Sequence, residues 1–289
     1  MKKEYFNRIE FLRALSLFEG HPVDALREFE KYIENYPHDY NSYSYYISLL
    51  IMFGRADEAS KLIDEVSMVA SGNNAFKWGA FKYGVFKQHI LYSKLKLLAY
   101  LGKYKEFYKL YINNYDSLKM NNINLEHVSF YFRKKMGLHV KLKENNSEGY
   151  MYNQMYNYNE KLFLEHIKKH MVDYDKNDEC NTNVFALDFP ILKIVEEIKK
   201  FIPSENGLFT GFMEDVYVFK YDSCGRDNNR LVDYFKVVCF HNTQDFITMC
   251  PVYGYEGYPY IDLNYLKENN DEKIRRKSRI DRFNSRYSK

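Results

Sequence analysis

The chain of 289 residues has room for one large domain or two ordinary ones. Its hydrophobic content of 46% and charged content of 28% allow a globular core without disulfides or metals. The net charge of +3 is too small to mark the whole chain as a nucleic-acid binder. No signal peptide or membrane-spanning run is evident, and four scattered cysteines without a Cys-x-x-Cys pair favour a reducing cytoplasm. We therefore expect a cytoplasmic protein with no cofactor and no membrane partner.

Two glycines 34 residues apart, Gly20 and Gly54, each separate two segments of helical periodicity. The four predicted helices are 5–19, 23–36, 39–53 and 56–70. A helix–turn–helix unit that repeats every 34 residues is the signature of a tetratricopeptide repeat. The pattern predicts a helical solenoid with a concave recognition groove.

Apolar stripes run along one face of each predicted helix. They are Leu12, Leu15 and Phe18; Ala25, Phe29 and Tyr32; Tyr43, Tyr46 and Leu50; and Ala59, Ile63 and Val66. With Gly20, Pro37 and Gly54, these positions make residues 5–70 resemble tetratricopeptide repeats. The match is incomplete, because Arg13 and Ile47 stand where the family usually has a small residue early in the first helix.

Gly102 and Gly137 are 35 residues apart, which is close to the first spacing. They follow an insertion that begins near the loop-forming segment 71–75. We therefore predict that residues 5–136 form antiparallel helix pairs stacked in one direction. A repeat domain would then span residues 1–142, and no strand is expected before residue 200.

The resemblance implies a partner groove lined by the first helix of each pair. The candidate partner-binding residues are Asn41, Tyr45, Ser48 and His89. Tyrosine rings and amide groups suit an extended peptide, so we expect a peptide or protein partner there. The abundance of tyrosine, with 29 residues, also fits a simple coding bias.

The rest of the chain is predicted to be an α+β region. A polar break and a long helix over 151–171 lie in a connecting segment, residues 143–186, and a second helix spans 187–201. Three strands then alternate with period two, around 216–221, 234–240 and 246–253. Turn-rich connectors, 222–230 and 242–245, predict an antiparallel sheet packed on helices. The α+β domain would cover 187–289, and its basic tail, 270–287, is predicted to be helical.

Two groups have metal-ligand character, each with a plainer explanation. His166 and His170 stand one helical turn apart, which is metal-ligand spacing but also that of an ordinary polar face. Cys239, His241 and Cys250 lie on adjacent predicted strands, where they suit zinc or a buried core. No complete ligand set is evident, so we predict no metal site.

The closing strands of the chain, Asp233–Phe240 and Phe246–Pro251, resemble those of small bacterial ribonuclease toxins of the barnase/RelE-like group. The resemblance implies metal-independent RNA cleavage, which needs a base, an acid and a cation for the phosphorane charge. The candidate catalytic residues are Lys236, His241, Thr248 and Arg279. The alternative is that Lys236 and Thr248 are ordinary strand residues.

The C-terminal segment from Glu272 carries eight Lys and Arg against two acidic residues. Arg275, Arg276, Arg279 and Arg282 are the candidate phosphate contacts for RNA. A basic terminus is also often simply solvated.

Two functions remain open from the sequence. The first is a repeat protein whose groove binds a peptide or protein, with an appended α+β effector domain. The second is an endoribonuclease toxin in the C-terminal domain, with the helical array as a targeting or regulatory module.

Overall fold

The computed structural model describes residues 7–71, 80–123, 125–138, 160–168, 183–202 and 207–267. Helices come first and a six-stranded sheet follows, which confirms the predicted mixed class. The helices are α1 (Arg8–Leu17), α2 (Pro22–Asn35), α3 (Tyr40–Met52), α4 (Ala56–Ser71), α5 (Ala80–Tyr100), α6 (Tyr104–Asn113), α7 (Tyr115–Met120), α8 (Glu126–Lys135), α9 (Glu160–Lys168) and α10 (Ile191–Phe201). The strands are β1 (Asn183–Phe185), β2 (Leu208–Phe209), β3 (Glu214–Asp227), β4 (Arg230–Phe240), β5 (Phe246–Pro251) and β6 (Tyr260–Asp262).

Three of the spaced glycines end helices in the same way. Gly54, Gly102 and Gly137 have φ between 65° and 74°, the left-handed region that favours glycine. At the first of them, Arg55 N–H donates to Leu50 O at 2.8 Å and Gly54 N–H donates to Ile51 O at 3.1 Å. This is a Schellman cap, and the other two glycines repeat it. Gly20 is different, because its φ lies outside that region.

Successive helices pack on one another from α1 to α6, and α8 packs on α6. The predicted stripes of the second helices, Ala25 to Tyr32 and Ala59 to Val66, are buried. In the predicted stripe of α1, Leu15 and Phe18 pack against the core, but Leu12 is 47% exposed and Ala14 is buried instead. No described helix precedes α1, so its outer face has no helical neighbour to cover Leu12.

The sheet has the order β1-β3-β4-β5, with β2 and β6 also paired to β3. All pairings are antiparallel except β3 with β6, which is parallel. The predicted meander of three strands is present as β3, β4 and β5. The predicted connector 222–230 is wrong, because β3 continues to Asp227 through a bulge, and a two-residue turn at Asn228 and Asn229 follows.

Strand β1 overturns the expectation that no strand precedes residue 200. Its three residues pair with Gly225–Asp227 at the far end of β3. Short strands such as β1, β2 and β6 have too few residues to show a period of two, which explains why the sequence pattern did not reveal them.

Both faces of the sheet are buried. On one face, Phe219 and Phe235 share a cluster with Ile194 and Ile198 of α10. On the other face, the sheet packs against the helices of the N-terminal half, in two clusters. One joins Phe29 and Leu49 to Val216 and Val238, and the other joins α3 to α8 to Phe209, Phe212 and Phe240. The sheet is thus a middle layer that shares its core with the helical part.

A loop after β5 fastens the sheet to the turn between α1 and α2. Tyr258 donates its hydroxyl hydrogen to Glu19 O at 2.7 Å. A Cβ on Gly257 would overlap the imidazole of His21 and the carbonyl oxygen of Gly20. Only glycine therefore fits at this close approach.

Several predictions fall on residues outside the described ranges. They are residues 72–79 of the insertion, the polar break at 143–149, most of the predicted helix 151–171, and the predicted tail helix 270–287. Of the predicted helix 151–171, the described part is α9.

Candidate functional site

The face of the array that was predicted to form the partner groove is covered by the chain's own sheet. On α5, Tyr92 contacts Phe212 with ring centroids 5.1 Å apart, and Tyr100 contacts Phe209 at 5.3 Å. On α3, Leu49 is fully buried in the cluster that includes Leu208 of β2. The first helices of the second and third pairs therefore bind the sheet within the same molecule.

The four groove candidates have different surroundings. Tyr45 is held among rings: it stacks on Phe29 at 5.8 Å and meets Phe11 and Phe18 edge-on. Ser48 is half-buried and His89 is exposed, while Asn41 lies in the first turn of α3. These contacts make Tyr45 part of the packing between α1, α2 and α3.

The candidate catalytic residues in the described part are not brought together. Thr248 Oγ1 lies 3.1 Å from Nε2 of His166 on α9. Lys236 lies in the middle of β4, with its Nζ 5.7 Å from the centre of the Tyr255 ring. His241 lies in the turn after β4, five residues further along, or roughly 16 Å at the rise of a strand. The structure therefore does not bring Lys236 and His241 together.

His241 joins the sheet to the helical part. Its Nδ1 lies 2.7 Å from Oδ1 of Asp215 on β3, and its Nε2 lies 2.9 Å from the carbonyl oxygen of Tyr100 at the end of α5. Asn242 N–H donates to the other carboxylate oxygen of Asp215 at 3.0 Å. The Phe209 ring covers the imidazole at 4.7 Å.

The environment of His241 favours the imidazolium form. Burial lowers its pKa, but the hydrogen bond and charge of Asp215 and the Tyr100 carbonyl raise it, and the pKa ends above its usual value. An imidazolium donates from both nitrogens, so the carboxylate and the carbonyl are both satisfied. Both nitrogens are thus engaged within the protein, and RNA cleavage by His241 stays a prediction without support from this geometry.

The sequence analysis singled out His241 but missed both of its partners. Asp215 lies at the start of β3. The alternation of apolar and polar residues along a strand does not indicate that a carboxylate there is buried. The Tyr100 carbonyl is a backbone group whose position depends on how α5 docks on the sheet.

The cysteines are core residues in the structure. Cys239 and Cys250 are buried, and burial raises the pKa of each thiol. Within the described ranges, no group of three or more His, Cys, Asp and Glu side chains is arranged to hold a metal ion. His170 lies outside those ranges.

Charge divides the helical part into two halves. Residues 7–71, which hold α1 to α4, carry six basic and eleven acidic side chains. Residues 87–138, which hold most of α5 and all of α6 to α8, carry ten basic and three acidic side chains. A chain with a small net charge thus contains a strongly basic region that its total conceals.

Four of the six basic residues of the first half pair with nearby carboxylates. Arg55 pairs with Glu58 at 2.6 Å and with Glu30 at 3.5 Å. Three further pairs in this half are Arg13–Glu28, Arg27–Asp24 and Lys61–Glu65.

Four lysines of the second half lack such partners. Lys103, Lys105, Lys109 and Lys119 are exposed, and none of them forms an ion pair with another described residue. We call these four residues the α6–α7 lysines. Lys105 and Lys109 are one helical turn apart, so they share one face of α6.

The candidate phosphate contacts Arg275, Arg276, Arg279 and Arg282 lie outside the described residues. In the described part of the chain, no helix combines the length and apolar character needed to cross a membrane. Comparison of the chain with protein-family models, with curated proteins and with solved structures finds no match.

Proposed function

We propose that this protein is an interaction protein that binds an acidic polypeptide through the α6–α7 lysines. In this proposal the helices form a tetratricopeptide-like array, and the α+β part closes the face that such arrays usually leave open. The observation that carries the proposal is the set of exposed, unpaired lysines in a half of the array that has seven excess positive charges. The setting we propose is the cytoplasm.

The clustering of like charge on this half is costly for the free protein. Lysines at the same face of a helix repel one another, and no described carboxylate forms an ion pair with the α6–α7 lysines. A partner with negative charge removes this repulsion when it binds. It also approaches faster, because a surface of one sign steers the oppositely charged molecule towards it.

A polypeptide fits this surface better than single-stranded nucleic acid does. Nucleic-acid binders add aromatic faces on which bases stack. Here the rings near the lysines are engaged inside the protein: Tyr104 stacks on Phe132 at 4.6 Å, and Tyr108 faces the guanidinium of Arg133 at 5.7 Å. Tyr115 donates its hydroxyl hydrogen to Glu126 at 2.8 Å. The positive charge of the α6–α7 lysines is therefore the feature that a partner can bind, and acidic side chains complement it.

The test is a binding titration of the full chain with a fluorescent poly-L-glutamate peptide. The variant Lys105→Glu/Lys109→Glu should weaken binding at low salt by about tenfold or more, since each exposed charge pair contributes about 0.2–1 kcal/mol and reversal adds repulsion. The matched control is Lys31→Glu/Lys61→Glu, which changes the net charge equally but lies in the acidic half. It should bind nearly as the parent chain does.

Two results would contradict the proposal. Equal loss in both variants would show that only the total charge matters. Tighter binding of a single-stranded RNA of matched length, with the same loss in the Lys105→Glu/Lys109→Glu variant, would make nucleic acid the partner class. Cleavage of that RNA would support the endoribonuclease alternative.

A further inference from the structure

A buried lysine lies between α5 and the sheet. Lys96 is 6% exposed, although a free ammonium group is among the most costly groups to remove from water. Its neighbours at one helical turn on either side, Tyr92 and Tyr100, are the residues that contact Phe212 and Phe209. Residues four apart share a helix face, so Lys96 lies on the face of α5 that the sheet covers.

Lys96 has no acceptor among the described residues. It takes part in none of their ion pairs or side-chain hydrogen bonds, and burial alone lowers its pKa, to about 8. The hydrogen bonds of this interface identify one carboxylate, that of Asp215. Its two oxygens are already bound by His241 and the Asn242 N–H. Burial raises the pKa of Glu214, the preceding residue, and the positive charge that opposes this rise is that of Lys236, not of Lys96.

A second donor lies beside Lys96 and is also without a partner. Ser93, one turn earlier on α5, is 1% exposed, and its hydroxyl forms no hydrogen bond within the described structure. A serine in a helix commonly donates to the carbonyl four residues before it, so an unpaired buried hydroxyl is unusual. On a helix, side chains three apart are neighbours with Cβ atoms about 5–6 Å apart.

We propose that Lys96 and Ser93 form a binding site for a small oxyanion, a carboxylate or a phosphate, between α5 and the sheet. The ammonium supplies charge and up to three donors, and the serine hydroxyl supplies one more. A bound oxyanion compensates both groups at once.

The arrangement does not suit covalent catalysis. Ser and Lys at this spacing also occur in enzymes that use the serine as a nucleophile. A nucleophilic serine is activated by a general base hydrogen-bonded to it, whereas the Ser93 hydroxyl forms no hydrogen bond within the described structure. Binding of an ion needs only the two donors, and charge-assisted hydrogen bonds make it strong.

The site predicts a selective effect of anions on the thermal stability of the full chain. At constant ionic strength and pH 7, inorganic phosphate or acetate should raise the melting temperature of the parent protein by several degrees relative to chloride. Whichever of the two raises it more identifies the oxyanion class. Lys96→Met should melt at a higher temperature than the parent without added anion and should not respond to either oxyanion.

Two further variants keep the test decisive. Lys94→Met, which removes a lysine from the same helix, should respond as the parent does. Ser93→Ala should keep the fold and weaken the apparent affinity for the oxyanion by about tenfold, the size of one lost hydrogen bond to a charged group. An equal response of the parent and Lys96→Met overturns the proposal, as does a parent that responds to neither oxyanion.

Discussion

The two halves of the helical part use similar helix pairs but treat charge in opposite ways. In α1 to α4 four of the six basic side chains pair with carboxylates, and the contact with the sheet is apolar, through residues such as Phe29 and Leu49. In α5 to α8 the α6–α7 lysines form no ion pair with a described residue, and the contact with the sheet contains His241, Asp215 and the buried Lys96. Residues that leave local rules unsatisfied are common at functional sites. In our proposal the first half contributes stability and the second half contributes binding.

The largest expected effect tests the apolar contact of the first half. Phe29 is fully buried between α1, α3 and the sheet, so Phe29→Ala should lower the free energy of unfolding by about 3–5 kcal/mol. The loss should be independent of salt and pH, because no charge is involved. Urea denaturation measures it, and Phe18→Ala, at a half-buried ring, should cost clearly less.

The next effect has the opposite sign and lies in the second half. The pKa of Lys96 falls from 10.5 to about 8, a change worth about 3 kcal/mol at 1.36 kcal/mol per tenfold. Folding therefore opposes the ammonium form, and this cost is fully present below about pH 8 and disappears above about pH 10.5. Lys96→Met should raise the unfolding free energy at neutral pH by up to about that amount.

The pH dependence of that gain provides its control. Stability of the parent should rise towards that of Lys96→Met between about pH 8 and pH 10.5, where the unfolded chain binds the extra proton. A gain that does not change with pH would show that improved packing, and not a buried charge, explains the variant.

A smaller effect tests the polar joint between α5 and the sheet. Asp215→Asn removes the carboxylate that holds His241 charged, and should cost about 1–3 kcal/mol at about pH 6. The pKa of His241 is raised in the folded protein, so its contribution is complete below the unfolded value of about 6.5 and is lost as the pH rises through the folded pKa. The difference between parent and variant should therefore shrink at about pH 9. A difference that grows with pH would contradict this linkage.

The smallest effects compare single charges of the two halves. Arg55, which is one-third exposed and bridges two glutamates, should lose about 0.5–1 kcal/mol of stability when changed to Met. Lys105→Met should change stability by less, because no described carboxylate contacts it. The ranking is checked by urea unfolding at low and high salt, where only the Arg55→Met difference should diminish.

Local patterns predicted the helices and the main strands well, because these depend on near neighbours in the chain. The spaced glycines Gly54 and Gly102 end helices as their spacing indicates, and the period-two runs became β3, β4 and β5. What the sequence did not reveal depends on docking. The rings of α1 and α2 enclose Tyr45, the sheet covers α3 and α5, and His241 pairs with Asp215 and Tyr100 from segments distant in the chain.

The proposed binding surface was not predicted from the sequence for a related reason. The net charge of +3 is the sum over an acidic and a basic half, and the basic residues predicted to bind lie in the C-terminal tail, outside the described part. The charge of each helix pair, taken separately, indicates the basic second half. Only the structure distinguishes its unpaired lysines from the ion-paired residues of the first.

The central claim is that the partner binds the α6–α7 lysines and not the face of the first helices. Hydrogen–deuterium exchange of the full chain, with and without the poly-L-glutamate peptide, tests it most directly. We expect slower exchange confined to Tyr104–Met120, with Tyr40–Met52 and the second half of α5 unchanged. Slower exchange in α3 and α5 without any change in α6 and α7 would contradict the account and return the partner to the groove.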